Sequence, residues 1–380
     1  MNITAPKFDQ AEMDSLNNCL ASKWVTQGPL VKKFESSVAV YHQVQYALAT
    51  TSCSTALHLA TLSLGLGPGD EVIVPAFTWV TSAHCAEYVG ARAVFADVNP
   101  DTYNLDPRAL EVAITPRSKA VVIVHLFGLA AEMDEILTIA KRHSLYVIED
   151  AACAIGTTYN GIPVGGMGDV GCFSFHPRKI ITTGEGGMVT TNNPVLAEKI
   201  GYLRNHGSSD SPDIEAGPTK PYSMGRFDQL GFNFRLSDIQ AAVGLAQMAK
   251  LKSLLAERDS LARRYTQKLI AIEDLVLPPP PGKCGHTYQS YVIRLKSGGI
   301  ERRNRIMDLL AERKIQSRPG THAVHRLGYY REKYRLKPEM FPNSCLGEDT
   351  TITLPIFPGM TEEDQNSVVD TLWNALKFSR

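Results

Sequence analysis

A single lysine, Lys179, lies in the segment SFHPRKIITTGEGG, between a short apolar stretch and a turn that holds three glycines. Only the neutral amine of a lysine attacks a carbonyl group, and the ordinary pKa of the side chain keeps it protonated near neutral pH. Most lysines are solvated surface residues. A reactive role for Lys179 therefore depends on what surrounds it.

An acidic pair, Glu149 and Asp150, ends the apolar segment LYVIED earlier in the chain. Open α/β sheets bind ligands at the carboxyl ends of their strands, where this pair is expected. A pyridinium nitrogen needs a carboxylate, and a flat ring needs a small residue on one face and an aromatic residue on the other. Ala152 offers the small residue, and Trp79 in VPAFTWV offers the aromatic one.

The segment TTSCSTALHLATL begins with hydroxyl side chains directly before an amphipathic stretch; they are Thr51, Ser52, Ser54 and Thr55. Backbone N–H groups and hydroxyls at a helix N-terminus bind anions such as phosphate. The same residue types also serve only as helix caps. Combined with the lysine, the ring acid and the ring platform, they predict a pyridoxal phosphate (PLP) site.

The elements that position these residues lie between Tyr46 and about residue 200. Short β-branched segments alternate there with amphipathic stretches, and the β-branched segments are DEVIVPAF, ARAVFADV, KAVVIVHLF, LYVIED, DVGCFSF and GGMVTT. The alternation predicts a largely parallel sheet covered by helices. Residues 208–226 are expected to form a long surface loop. Ser237 and Gln240 are spaced as a capping box, which predicts one long helix from Ser237 to Tyr265. PPPPGKCG is interpreted as a linker to a small α+β domain.

The composition excludes several classes of protein. The 39 basic and 39 acidic residues balance, and no run of like charges indicates a nucleic-acid or membrane partner. The apolar run AVVIVHLFGLAA is too short to cross a bilayer, so we expect a cytoplasmic protein. Seven scattered cysteines without a CxxC pair indicate reduced thiols. GLGPG does not match the GxGxxG dinucleotide motif and follows a helical stretch, which argues against a nicotinamide enzyme.

Three motifs, EDAACAIG, SFHPRKIITTGEGG and GFNFRLSDIQ, strongly resemble the DegT/DnrJ/StrS sugar aminotransferase family, which has the aspartate aminotransferase fold (fold type I) of PLP-dependent enzymes. The resemblance extends from WVTQGP to LPIFPGMTEED. It implies an α/β fold whose large domain, residues 1–245, holds a mostly parallel seven-stranded sheet. Residues 246–380 would form the small α+β C-terminal domain.

The resemblance also implies roles for individual residues. Lys179 would bind PLP covalently and Asp150 would pair with the ring nitrogen, while Ala152 and Trp79 sandwich the ring. Ser52, Cys53 and Ser174 would hold the phosphate, and Cys153 would face the ring hydroxyl where many relatives carry Gln or His. Asn233 is expected to reach the phosphate from a partner subunit, which implies a homodimer. The implied substrate residues are Thr26, Gly28, His206, Arg318 and His322.

The expected reaction is amino transfer from glutamate or glutamine to a keto-sugar, with a nucleotide-linked keto-deoxysugar as the favoured acceptor. One alternative is a keto-cyclitol of the scyllo-inosose type as acceptor. Another is a non-catalytic paralogue that senses a ligand. His322 and His325 have the spacing of a metal pair, but no third ligand is evident, so no metal is expected.

Overall fold

The computed structural model describes residues 1–209, 222 and 224–379. The strands are β1 (Tyr46–Thr50), β2 (Glu71–Pro75), β3 (Phe77–Thr78), β4 (Arg92–Ala96), β5 (Ser118–Val124), β6 (Tyr146–Asp150), β7 (Thr158–Tyr159), β8 (Ile162–Pro163), β9 (Val170–Ser174), β10 (Gly187–Thr191), β11 (Leu275–Val276), β12 (Tyr291–Leu295), β13 (His322–Ala323) and β14 (Thr351–Leu354).

The helices are α1 (Gln10–Ser22), α2 (Pro29–His42), α3 (Cys53–Ser63), α4 (Thr81–Tyr88), α5 (Pro107–Ala113), α6 (Met133–Arg142), α7 (Pro194–Leu203), α8 (Asp238–Ala249), α9 (Leu251–Leu269), α10 (Gly299–Glu312), α11 (Gly328–Tyr334), α12 (Pro342–Thr350) and α13 (Glu362–Phe378). Short 3-10 turns cover Leu126–Gly128, Val324–Arg326 and Pro338–Met340.

The central sheet has seven strands in the order β1-β10-β9-β6-β5-β2-β4. β10 runs antiparallel to both of its neighbours, and the other neighbouring pairs are parallel. All residues of β2 and β10 are buried, as expected for strands that helices cover on both faces. The predicted large, mostly parallel seven-stranded sheet is confirmed.

Two apolar layers, one on each face of this sheet, form the core. One contains α3 residues such as Leu57 and Leu59, and the other contains Phe34 of α2 and Phe173 of β9. A third apolar cluster joins α9 and α13 to the three-stranded sheet β11-β12-β14 near the C-terminus. The domain boundary expected after residue 245 falls within α8 and stays a prediction.

The single helix predicted from Ser237 to Tyr265 is wrong. The capping box of Ser237 and Gln240 is present, but α8 ends at Ala249 and α9 begins at Leu251. Lys250 between them leaves the helical conformation (φ −106°, ψ 7°). Its ammonium lies 2.9 Å from a carboxylate oxygen of Asp9 and 2.7 Å from one of Glu12. These contacts with the start of α1 hold the break, and local helix propensity does not reveal them.

The expected linker PPPPGKCG is not a free connection, because backbone hydrogen bonds join its end to the β7–β8 hairpin. Gly285 N donates to Thr158 O at 2.7 Å, and Asn160 N donates to Lys283 O at 2.8 Å. The peptide segment is therefore held along the β7–β8 hairpin. Much of the predicted loop at 208–226 lies outside the described residues. Within the described ranges, no helix is long and apolar enough to cross a membrane.

Candidate functional site

A cavity of about 430 Å³ opens at the carboxyl ends of β5 and β6 and beside the N-terminus of α3. Its volume lies within the range of small-molecule sites. Ten of the residues singled out in the sequence line it: Ser52, Cys53, Ser54, Trp79, Asp150, Ala152, Cys153, Ser174, Lys179 and Arg318. They come from segments that are far apart in the chain, so the sheet brings them together.

Asp150, the last residue of β6, is nearly buried, and both of its carboxylate oxygens accept hydrogen bonds. Ser82 Oγ in α4 donates to Oδ2 at 2.6 Å, and Ala152 N donates to Oδ1 at 3.1 Å. Thr78 Oγ1 lies 2.9 Å from Ser82 Oγ and extends the network. The carboxylate therefore has one orientation, and it faces the cavity.

Glu149 points to the opposite face of the strand, because side chains alternate along β6. It is fully buried and accepts from the backbone N–H groups of Gly165, Met167 and Gly168, each at 2.7 Å. His125 Nε2 lies 3.0 Å from the same carboxylate, and its Nδ1 accepts from a backbone N–H. Burial alone would raise the pKa of Glu149, but the bonds from His125 and the backbone outweigh it and lower that pKa. Glu149 thus anchors the loop before β9.

A tight turn places Lys179 in the cavity. Lys179 N donates to His176 O at 2.8 Å, and His176 Nδ1 accepts from Arg178 N at 3.2 Å. The amine of Lys179 lies 3.1 Å from Cys153 Sγ. The lysine amine and the Cys153 thiol therefore share one side of the cavity, next to Asp150.

The start of α3 forms another wall. Ser52 is the N-cap, and it exchanges hydrogen bonds with Thr55: Thr55 N donates to Ser52 Oγ at 3.2 Å and Ser52 N to Thr55 Oγ1 at 3.0 Å. Thr55 and Thr51 do not line the cavity, whereas Ser52, Cys53 and Ser54 do. Burial raises the pKa of Cys53 well above its ordinary value, so its thiol stays protonated. The N–H groups of the first turn are the natural anion donors here.

Gly187 is the last glycine of GEGG and the first residue of β10, and it allows the strand to approach the start of α3. A Cβ at Gly187 would lie 2.4 Å from the carbonyl of Ser52 and 2.7 Å from Cys53 N. The turn itself contains Gly184 with a left-handed φ of 84°. Gly184 and Gly187 therefore serve the backbone.

Trp79 lies on the open side of the cavity with 54% of its surface exposed. The strand before it, β3, pairs with β13, so the C-terminal half supplies its neighbour: the His322 ring is 5.6 Å from the Trp79 ring. His322 Nδ1 lies 3.8 Å from Glu348, whereas His325 is buried beside Cys345. In the described ranges, no group of three or more His, Cys, Asp or Glu side chains could hold a metal ion.

Five of the predicted residues do not line this cavity: Thr26, Gly28, His206, Asn233 and His322. Thr26 O accepts from Asp238 N, and a Cβ at Gly28 would lie 2.8 Å from Asp238 Oδ2 and 2.1 Å from the Trp24 ring. Gly28 therefore allows a close approach of α2 to α8. His206 occupies a left-handed turn (φ 59°), and the exposed Asn233 pairs with Asn205.

Several residues that build the cavity were missed by sequence reasoning, among them Ser82, His176, Arg178 and Gln289. Ser82 holds Asp150, His176 and Arg178 line the cavity beside Lys179, and Gln289 Nε2 donates to Arg178 O at 2.7 Å. His176 and Arg178 stand within the quoted lysine motif, so the motif could have indicated them. No local pattern links Ser82 or Gln289 to the site, because their partners are remote in the chain.

The residues present fit PLP. The first turn of α3 can accept a phosphate, the oriented Asp150 carboxylate suits a pyridinium nitrogen, and Lys179 supplies an amine for the aldehyde. Ala152 and Trp79 line the same cavity, so a flat ring could lie between them. Cys153 can face the ring hydroxyl as only a weak hydrogen-bonding partner.

Comparisons with known proteins agree with this chemistry. Residues 6–373 match the model of the DegT/DnrJ/EryC1/StrS aminotransferase family. GDP-perosamine synthase of Caulobacter vibrioides is 40% identical over 374 residues, which cover 98% of this chain and 97% of that protein. The spore coat polysaccharide biosynthesis protein SpsC of Bacillus subtilis is 36% identical over 378 residues, with 98% and 96% covered.

Solved structures show the same fold. A Streptococcus pneumoniae protein classed as a sugar aminotransferase, solved in its PMP form, superimposes with a TM-score of 0.94 at 27% identity, and the match covers 100% of both chains. The same protein has also been solved in a PLP form. 3-Amino-5-hydroxybenzoic acid synthase superimposes with a TM-score of 0.90 at 29% identity, with 98% of each chain covered.

Proposed function

Because the chain belongs to the DegT/DnrJ/EryC1/StrS aminotransferase family, we propose that it moves an amino group from glutamate or glutamine to a keto-sugar, with a nucleotide-linked keto-deoxysugar as acceptor. The observation that carries the proposal is the meeting of Lys179, Asp150 and the start of α3 around one cavity. The 40% identity with a GDP-perosamine synthase over nearly the whole chain supports a nucleotide-linked acceptor.

The family membership confirms several predictions from the sequence. The chain is a PLP-dependent aminotransferase of fold type I. The interpretation as a non-catalytic ligand sensor is therefore not retained.

The chain's own groups can divide the work of proton transfer. Bound PLP supplies an electron sink for the carbon that exchanges the amine. Asp150, held by Ser82 and by Ala152 N, would keep the ring nitrogen protonated. Lys179 would bind the cofactor and then, as a free amine, take up and return the proton at the substrate carbon.

Other side chains would orient the reactants. Ser52, Cys53, Ser54 and Ser174 would bind the phosphate around the first turn of α3. Trp79 and Ala152 would hold the ring between them. We assign Arg318 and His322 to an anionic group of a substrate, and Thr26, Gly28 and His206 to the entrance of the site. The assignments of Thr26, Gly28 and His206 rest on the family resemblance alone.

A panel of acceptors tests the proposal. The yellow holoenzyme should lose its visible absorbance band when glutamate or glutamine is added, and oxo-acid should form in step with it. Nucleotide-linked keto-sugars should then restore the band. Restoration by keto-cyclitols alone would transfer the assignment to that alternative class, and no loss of the band with either donor would overturn the proposal.

We also propose a homodimer in which Asn233 contacts the phosphate of the partner subunit. Asn233 is exposed and does not line the cavity of its own chain. Apolar residues that precede it are exposed too: Met224 by 87% and Leu230 by 89%. Such a surface suits burial against a second copy.

Complementation between two variants tests this arrangement. A Lys179→Ala subunit mixed with an Asn233→Ala subunit places both lesions in one site of the heterodimer if Asn233 acts across the interface. The other site is then normal, so activity should reappear on mixing. Activity that never exceeds that of Asn233→Ala alone would contradict the assignment.

A further inference from the structure

Two arginines line the cavity. Arg178 precedes Lys179, and Arg318 comes from the segment before β13. In the part of the chain that the structure describes, neither guanidinium lies within 4.0 Å of a carboxylate oxygen. Arg318 Nη2 makes one long contact, 3.4 Å, with Gly320 O. Arg178 is exposed, whereas Arg318 is half-buried. A half-buried guanidinium is ordinarily paired, so the position of Arg318 beside a second arginine needs an explanation.

The guanidinium of Arg178 disfavours the charged form of Arg318. Burial lowers the pKa of Arg318, and the neighbouring Arg178 lowers it further. An anion between or beside the two guanidinium groups would offset both the burial of the Arg318 charge and its repulsion from Arg178. Both arginines also line a small recess next to the main cavity, together with Gln289 and Thr353. The positive charge is therefore concentrated on one side of the site.

The backbone of each arginine is held while its side chain is left available. Arg178 N donates to His176 Nδ1, and Arg178 O accepts from Gln289 Nε2 at 2.7 Å. Arg318 O accepts from Thr353 N of β14 at 2.7 Å. Fixed backbones reduce the entropy lost when the side chains bind a ligand. The arrangement has the character of a prepared anion site.

We infer that Arg178 and Arg318 together bind the α-carboxylate of the amino donor, and that Arg178 is a specificity-determining residue of the donor half-reaction. This inference rests on the proposed function. The α-carboxylate is attached to the carbon whose amine is exchanged, so its site must lie close to Lys179 Nζ. Arg178 is the chain neighbour of Lys179, and the planar guanidinium fork matches a carboxylate. The diphosphate of a nucleotide-linked sugar lies several bonds from the keto carbon and fits this position less well.

The test compares three variants of the holoenzyme. Arg178→Met removes the charge, Arg178→Lys retains it without the fork, and Arg313→Met is a matched control at an exposed arginine on the C-terminal end of α10. The donor half-reaction is followed by loss of the visible band with glutamate. Calorimetry measures the binding of two probes that do not react, glutarate and inorganic pyrophosphate.

Arg178→Met should weaken glutarate binding and lower the second-order rate with glutamate by about 10- to 100-fold, the usual effect of losing a charge-assisted hydrogen bond. Arg178→Lys should recover part of the loss, and Arg313→Met should match the wild type. Pyrophosphate binding should be unchanged by Arg178→Met.

Two results would overturn the inference. One is glutarate binding by Arg178→Met and Arg178→Lys that equals the wild type. The other is a loss confined to pyrophosphate, which would assign the pair to the acceptor's phosphates. Failure of the wild-type holoenzyme to react with either donor would instead contradict the proposed function, so the two failures are distinguishable.

Discussion

The buried carboxylate of Glu149 offers a stability prediction whose size follows from its contacts. Its Oε1 accepts from Met167 N and Gly168 N, and its Oε2 accepts from Gly165 N and His125 Nε2. In Glu149→Gln one oxygen becomes an NH₂ group. Whichever oxygen is replaced, two of the four N–H donors then face the new NH₂ group, which is itself a donor, and two hydrogen bonds are lost. Each lost bond to a charged acceptor costs about 1.5–3 kcal/mol.

The variant should therefore be less stable by about 3–5 kcal/mol, the usual cost of breaking a buried, paired charge. Urea unfolding of the cofactor-free protein at pH 7 and at one protein concentration measures the difference. Glu312→Gln, at an exposed position of α10, is the control and should change stability by less than about 0.5 kcal/mol. A loss below about 1 kcal/mol for Glu149→Gln would refute the reasoning.

The same carboxylate predicts a dependence on pH. The pKa of Glu149 is lowered from its ordinary value of 4.5, so folding stabilises the charged form. The stabilisation is complete above pH 4.5, where the unfolded chain is also ionised, and it is lost as the pH falls through the lowered pKa. The stability difference between the wild type and Glu149→Gln should accordingly be largest near neutral pH and shrink in acid. A difference that grows below pH 4.5 would contradict this sign.

Three further substitutions probe the cofactor site. Lys179→Ala should abolish multiple turnover with an unchanged far-UV circular dichroism spectrum, and turnover near the wild-type rate would contradict the role of the amine. Asp150→Asn should retain bound PLP but convert it with glutamate far more slowly, since an amide cannot stabilise the ring proton; normal transamination would make Asp150 a structural acid. Gly187→Ala forces a Cβ to within 2.4 Å of the Ser52 carbonyl and should weaken PLP binding by about 10-fold or more, as judged by fluorescence titration. Gly282→Ala, with open space around it, is its control, and equal PLP affinity in the two variants would argue against the phosphate cradle.

Much of the site could be predicted from the sequence because its parts are local. Asp150 ends a strand, Ser52 caps a helix, and Gly184 and Gly187 serve one turn, so strand periodicity, capping and glycine chemistry indicate each of them separately. Parallel strands place their carboxyl ends at one edge, which is why residues from different segments could be expected to meet. The resemblance of the three motifs to a known family then supplied the cofactor roles, which local patterns alone only suggest.

Tertiary structure decided what depends on remote partners. The break at Lys250 is held by Asp9 and Glu12, and the linker segment is held by Thr158, although neither contact leaves a pattern near those residues. Arg178 is an ordinary charged residue in the sequence. It becomes a candidate anion ligand only because the tertiary structure brings two residues to it: Gln289, which fixes its carbonyl, and Arg318, which adds a second positive charge to the same cavity. Charges and hydrogen bonds act through space, so their meaning for function is set by contacts that sequence spacing does not encode.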